Sequence, residues 1–345
     1  MSLWLATAAA AAGLAVVLGA VGLPSPSLFA AMLAGLVVAL LVGSPPALPP
    51  WAFRVAQAVT GVVLGSYVQS SSLGEVADAW APIFAVSAAT LALSLAGGAA
   101  LARFARVDGP TAALGMIAGG ASGIVGMARD LDADDRLVAF MQYIRVLVVV
   151  LATPILAGLA FGSGSAGSAP SGGPAFGDLR DWGLTIAATI LGGFVATAVR
   201  LPVASLLGPM ILTAGFALAF PAHTFTVPPA LREVAFAVIG LQVGLRFTIA
   251  TLREVGRLLV PVLATVVGLM VACFGLAVLL DITTSASLLD SYLATTPGGL
   301  YAVLATAYGS HADTTFIVAT QTLRLFVMIL LAPLIVGRMH RKTPV

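Results

Sequence analysis

The chain is a succession of long apolar runs separated by short polar, Pro-rich or Gly-rich breaks. Apolar segments at 3–22, 27–43, 53–69, 79–104, 109–128 and 135–160 are followed by a second set at 180–199, 205–220, 230–247, 256–280, 286–306 and 313–337. With about 1.5 Å of rise per residue, a helix of about 20 residues crosses roughly 30 Å of hydrocarbon, so the longer runs predict membrane spans and the shorter ones thin spans. The pattern therefore predicts an all-α, polytopic transmembrane protein. The fifth segment of each set is unusual. Gly119-Gly120 interrupts the first and Pro297-Gly298-Gly299 the second, and such residues break a continuous helix.

The two sets are copies of one unit. A shift of 179 residues aligns the halves without a gap from about residue 27 to residue 158. Pro49-Pro50 falls on Pro228-Pro229, Gly61 and Gly65 on Gly240 and Gly244, and Pro82 on Pro261. Asp134 falls on Asp313, Gln142 on Gln321, Arg145 on Arg324 and Pro154 on Pro333. The expected division is a first repeat at 1–160, a Gly/Ser/Pro-rich linker at 161–177 and a second repeat at 178–345. The first 22 residues have the apolar look of a signal peptide without a basic start, and the matching run at 180–199 argues for a retained span.

Basic residues set the expected topology. If the fifth segments cross the bilayer, 8 Arg and Lys residues face 6 across the membrane, with no bias. If those segments are re-entrant, each half has five spans and the second half is inverted. Twelve basic residues then share one side against Arg180 and Arg232 on the other, as the positive-inside rule demands. Two inverted repeats of about five spans, each with a re-entrant or broken helix, are therefore expected. The implied location is the inner membrane, with both termini in the cytoplasm.

Composition narrows the function. Sixty per cent of residues are hydrophobic and 9% charged, far below the roughly 25% of a soluble domain. A net charge of +2 without a basic segment argues against nucleic acid, and one cysteine with three scattered histidines argues against a metal centre. No phosphate-binding loop and no nucleophile–base set is visible, so neither an enzyme nor a cofactor is expected.

The remaining polar residues point to a binding site. Paired interrupted helices at corresponding places in an inverted repeat are the sequence sign of a secondary transporter, because half-helix ends leave unpaired N–H and C=O groups in the membrane. The candidate substrate-binding residues are Gly119, Gly120 and Ser122 in the first half and Thr295, Thr296, Pro297, Gly298, Gly299 and Tyr301 in the second. Arg145 and Arg324 join them. Each lies about 11 residues into its last span, ~16 Å deep, where a lone guanidinium is costly. Gln142 and Gln321 sit three residues earlier, on the same helix face. The Arg fork suits a carboxylate, but equally suits an internal tie to the carbonyl ends of a broken helix. Asp134 and Asp313 read first as N-caps of the last spans and secondarily as ion-coupling groups; Asp290, opening the second fifth segment, reads the same way.

At these residues the chain resembles the AbrB-duplication family of membrane proteins. The resemblance rests on Gly119-Gly120 through Asp134 to Arg145, and on Thr295-Thr296-Pro297-Gly298-Gly299 through Asp313 to Gln321 and Arg324. It covers nearly the whole chain, and the first copy departs from it with Ala118 where the second has Pro297. The resemblance implies a protein linked to the regulation of another gene, distinct from the small soluble DNA-binding protein of the same name. Some members carry an ammonia monooxygenase label, which the absence of a histidine cluster for copper does not support. In plan the family is similar to inverted-repeat cation/proton antiporters and bile-acid-type symporters, an analogy of architecture only.

Two functions are thus expected from different classes. One is a secondary transporter of a small organic anion, with a proton or sodium ion as coupling partner. The other is a membrane-embedded protein that affects gene expression indirectly or through a partner. The lipid bilayer is the expected environment, and either function is compatible with a homodimer.

Overall fold

A computed structural model of the chain describes residues 2–21, 25–42, 47–66, 68, 74, 76–118, 124, 128, 131, 133–161, 176–199, 204–220, 227–246, 249, 256–298, 303, 306–307, 310 and 312–340. Among these residues the regular structure is helical throughout. Six helices come from the first half: α1 (Ser2–Ala20), α2 (Pro26–Val42), α3 (Pro50–Gly65), α4 (Trp80–Ala105), α5 (Gly109–Met116) and α6 (Asp135–Phe161). Six come from the second: α7 (Leu179–Ala198), α8 (Ala204–Ala219), α9 (Pro229–Gly244), α10 (Gly256–Thr283), α11 (Leu288–Thr295) and α12 (Thr314–His340). Under the 179-residue shift α3 coincides with α9, α5 with α11 and α6 with α12, end to end.

Among the described residues five helices are long and apolar enough to cross a membrane: those at Leu3–Ala20, Trp80–Ala105, Asp135–Thr153, Leu179–Ala198 and Gly256–Thr283. Two more, Pro26–Val42 and Ala204–Ala219, are apolar but shorter. Large apolar side chains lie on the outside, including Val16, Val17 and Val21 near α1 and Ile190, Leu191 and Phe194 on α7. A surface of that kind is at rest in lipid and not in water. These features make the chain a multi-pass membrane protein. Several hydroxyls inside its helices are satisfied by the preceding turn: Thr60 donates to Ala56 O, Ser87 to Ile83 O, Thr90 to Val86 O and Thr153 to Val149 O.

The chain divides into two compact units, and the division does not follow the sequence repeat. The first unit holds Met1–Gly74, Leu156–Thr248 and Leu304–Thr315; the second holds Glu75–Ile155, Ile249–Val303 and Phe316–Val345. Each unit therefore takes the same three helices from each half. Residues 162–175 of the expected linker lie outside the described residues.

In the first unit α2 of one half packs on α9 of the other, and α8 packs on α3. Glycine makes both contacts close. A Cβ on Gly240 would lie 2.0 Å from Leu28 O and one on Gly244 2.1 Å from Met32 O. The corresponding pair meets α8: Gly61 would reach Leu206 O at 2.2 Å and Gly65 Met210 O at 2.3 Å. Both pairs have the small-xxx-small spacing that lets helix backbones touch in membranes, where packing replaces the hydrophobic drive. Polar ties cross the same seams: Ser27 Oγ donates to Glu233 at 2.6 Å, and Ser205 Oγ to Gln57 Oε1 at 2.7 Å.

The second unit is built from α4, α5 and α6 up to Ile155, with α10, α11 and α12 from Phe316. Here α4 packs on α10 across the halves, α5 packs on α4, and α11 packs on α10. Gly98 of α4 admits the backbone of α5, its missing Cβ being 2.9 Å from Ala112 O. The candidate site lies in this unit.

Candidate functional site

Both short helices, α5 and α11, begin with firm caps. Asp108 accepts from the Thr111 backbone N–H at the start of α5. At the start of α11 the roles are exchanged: Ser287 is the cap and Asp290, at the Thr111 position, completes a reciprocal capping box. Asp290 thus serves as the N3 residue of the capping box, and Ser287 as the N-cap. Asp134 accepts from the N–H groups of Arg136 and Leu137, and Asp313 from that of Thr315, so both carboxylates cap the last helices.

The far ends of α5 and α11 lie inside the protein. α5 ends at Met116, where Ile117 turns extended (φ −66°, ψ 123°), and α11 ends at Thr295, where Thr296 does the same (φ −52°, ψ 125°). The break thus starts ahead of the glycines that mark it in the sequence. In the second half the cause is local: Thr296 precedes Pro297, whose ring disfavours helical backbone before it. In the first half Ala118 replaces the proline, yet Ile117 adopts the same conformation, so the cause there is tertiary.

That cause is the Gln–Arg pair of the last helix. Gln142 Nε2 donates to Leu114 O (2.6 Å) and Ile117 O (2.9 Å), and Arg145 Nη1 donates to Met116 O (3.1 Å). Arg145 Nη2 donates to Gln142 Oε1 at 2.8 Å, which fixes both side chains. The second half repeats the arrangement. Gln321 Nε2 donates to Leu293 O (2.8 Å) and Thr296 O (3.4 Å), and Arg324 Nη1 donates to Thr295 O (3.2 Å) and Thr296 O (2.7 Å). Arg324 Nη2 also donates to Gln321 Oε1. These carbonyls are the ones a helix C-terminus leaves unpaired, and they carry its partial negative charge. The fork that suits a carboxylate is therefore engaged by the protein's own carbonyls through its two terminal nitrogens.

The third guanidinium nitrogen is not engaged. Nε of Arg145 and Nε of Arg324 are buried without a hydrogen-bond partner, on residues only 2% and 4% exposed. Neither guanidinium has a carboxylate beside it among the described residues. Cys273, midway along α10, lies beside the Thr90 hydroxyl, and its carbonyl accepts from Thr295 Oγ1 at 3.2 Å. Its counterpart under the 179-residue shift is Ser94 of α4, whose hydroxyl is fully buried without a partner.

The last helix of each half also meets the break of the other half. Val149, one turn beyond Arg145, packs where a Cβ on Gly298 would stand, at 2.2 Å. Met328, the image of Val149, packs in one apolar cluster with Leu114, Ile117 and Ala118. The exchange is reciprocal: each last helix packs at the break of the other half.

Of the sequence candidates, Arg145, Gln142, Arg324, Gln321, Thr295, Thr296, Pro297 and Gly298 come together here. Gly119, Gly120, Ser122, Gly299 and Tyr301 lie outside the described residues. Asp134, Asp313 and Asp290 sit at helix starts, away from the clamped carbonyls. Sequence reasoning passed over Ser94 and Thr90. The available signal was that Ser94 falls on Cys273 in the repeat, two small polarisable groups inside long apolar helices.

The family described as "Transition state regulatory protein AbrB" matches residues 27–340. The chain is similar to the Escherichia coli (strain K12) protein named "Putative regulator AbrB", with 35% identity over 325 residues, 92% of this chain and 90% of that protein. It is also similar to the Bacillus subtilis (strain 168) protein named "Uncharacterized protein YhjN", with 29% identity over 291 residues, 80% of this chain and 76% of that one. A match that takes in both Gln–Arg clamps and nearly the full length places the chain in the AbrB family, as a multi-pass membrane member.

Proposed function

We propose that the chain is a secondary transporter of a small organic anion, with its substrate site at the clamped helix ends of the second unit. The observation that carries this reading is the duplicated pair of buried guanidiniums, each with an unused Nε–H and no carboxylate partner among the described residues. Holding two broken helices together needs hydrogen-bond donors but not two cations, and a buried charge without a counter-ion is costly. An anion that arrives and leaves gives that charge a use.

The topology in this reading is two inverted repeats of five spans with one re-entrant segment each, in the inner membrane with both termini cytoplasmic. One contact supports it. The backbone N–H of Asp134 donates to Thr111 Oγ1 at 2.9 Å, so the chain returns to the level where α5 began before it starts α6. α5 and α6 then run side by side in one direction, which is how a re-entrant segment and its following span are arranged. Alternating access would expose the site to each side in turn, driven by a proton or sodium gradient. The reading assigns no covalent chemistry, no cofactor and no metal to the chain, and a homodimer is compatible with it.

The test is uptake by proteoliposomes of the purified chain loaded with labelled short organic acids. Saturable accumulation that an ionophore abolishes is expected. No accumulation of any acid beyond protein-free vesicles, under proton and sodium gradients alike, rejects the reading.

A second reading, an indirect effect on gene expression, is favoured by the name of the E. coli relative. Transcript changes in a deletion strain that are reversed by a variant unable to transport would favour it over the first.

A further inference from the structure

Each last helix holds its own break with polar groups and meets the break of the other half with an apolar one. In α6 the holding groups are Gln142 and Arg145, and the apolar one is Val149, a turn further on. In α12 they are Gln321, Arg324 and Met328, at the same spacing. The three groups of each set span two helical turns, about 10 Å. No proline or glycine interrupts either stretch, and both helices are continuous through it. Val149 and Met328 are fully buried. Val149 stands so close to Gly298 that a Cβ there would lie 2.2 Å from its Cγ1. Met328 shares one apolar cluster with Leu114, Ile117 and Ala118 at the other break.

We infer that the two breaks are cross-braced and loosen or tighten as one. In a close-packed interior a displaced group shifts its neighbours rather than compressing them. Movement at the end of α5 draws on Gln142 and Arg145 through the carbonyls of Leu114, Met116 and Ile117. α6 follows as a stiff rod, and Val149 leaves its seat at Gly298. The return path runs from the end of α11 through Gln321 and Arg324 to Met328, and so to Ile117. The two internal helix ends are thereby one conformational element, and a solute or proton that disturbs either end is felt at both. The inference stands on these contacts alone and does not depend on the transport reading.

The experiment is hydrogen–deuterium exchange of the full chain in detergent, read by mass spectrometry at the last backbone bond of each short helix. These bonds run from Ile117 N–H to Ala113 O at 3.1 Å and from Thr296 N–H to Tyr292 O at 2.9 Å. Exchange at such amides reports local opening. Gly298→Ala pushes on Val149 from the second half. It should speed exchange at Thr296, as any nearby disturbance would, and also at Ile117, by about 10-fold, a mid-range value for neighbours in contact. Adding Val149→Ala removes the push and should return Ile117 to wild-type protection.

Faster exchange confined to the second break overturns the inference. So does an equal acceleration at Gly240 and Gly244 in the first unit, which would mean general loosening. Where Gly298→Ala does not fold, Gln142→Leu tests the brace from the other side. It cuts the clamp of the first half and leaves that of the second intact, and Thr296 should again exchange about 10-fold faster. Unchanged protection at Thr296 beside a loosened Ile117 would show that the breaks move independently.

Discussion

The side-chain nitrogen of Gln142 stands 2.6 Å from the carbonyl oxygen of Leu114, 28 residues earlier in the chain. It holds the end of α5 where no proline does. Gln142→Leu would leave the Leu114 and Ile117 carbonyls unpaired in the interior and take an acceptor from Arg145. A loss of roughly 2–4 kcal/mol is expected, since each buried orphan costs about 1–3 kcal/mol. Gln321→Leu should cost less, because Pro297 and the second carbonyl bond of Arg324 still hold the end of α11. Chemical or thermal unfolding of both variants in detergent checks the order; equal losses would assign the break in the first half to its local sequence.

Gly298 and Val149 compete for one space. Gly298→Ala should lower the melting temperature by several degrees, because its methyl group would stand 2.2 Å from Val149 Cγ1. Val149→Ala alone should open a small cavity, and the double variant should recover much of the combined loss. Contacting residues couple in this way, whereas distant ones add. Additive losses in the double-mutant cycle would show that the two side chains do not share that space.

Asp134 separates capping from ion coupling. Asn is as good an N-cap as Asp, whereas Ala loses about 1 kcal/mol. Asp134→Asn should therefore keep both stability and uptake, and Asp134→Ala should lose stability by that amount. Uptake abolished by Asn with stability intact would assign Asp134 to coupling instead.

Topology can be read by labelling. Single cysteines placed within residues 70–78 and 248–255, in a Cys273→Ala background, should react with an impermeant reagent from opposite sides of the membrane. Reaction from the same side would overturn the inverted arrangement.

Much of this fold was legible in the sequence because the repeat is legible. Gly61, Gly65, Gly240 and Gly244 align by register alone, and α5, α6, α11 and α12 begin and end where the second copy says they should. The caps at Asp134 and Asp313 were legible too, and with them the place of Arg145 and Arg324 about three turns into the last helices. The grouping of helices was not legible: runs of similar hydrophobicity carry no mark of their partners, and the pairing of α2 with α9 depends on backbone approach at glycine. The donors left free at the site were not legible either. Composition reports that an Arg has three nitrogens, but only the carbonyls of Met116, Thr295 and Thr296 decide which of them are spent. Ser94 was invisible for a related reason, since one serine in a long apolar helix looks like any other until its neighbours are known.

The crossed pairing of α2 with α9 and α3 with α8 has a consequence for synthesis. Gly240 emerges about 200 residues after Gly35, a delay of roughly 10–40 s at about 5–20 residues per second. Through that interval α2 and α3 sit in the bilayer with their closest partners not yet translated. Biogenesis of this protein is therefore a matter of waiting: the early helices must neither pair with strangers nor be degraded, and a ribosome that stalls midway leaves in the membrane a fragment that has no fold of its own to adopt.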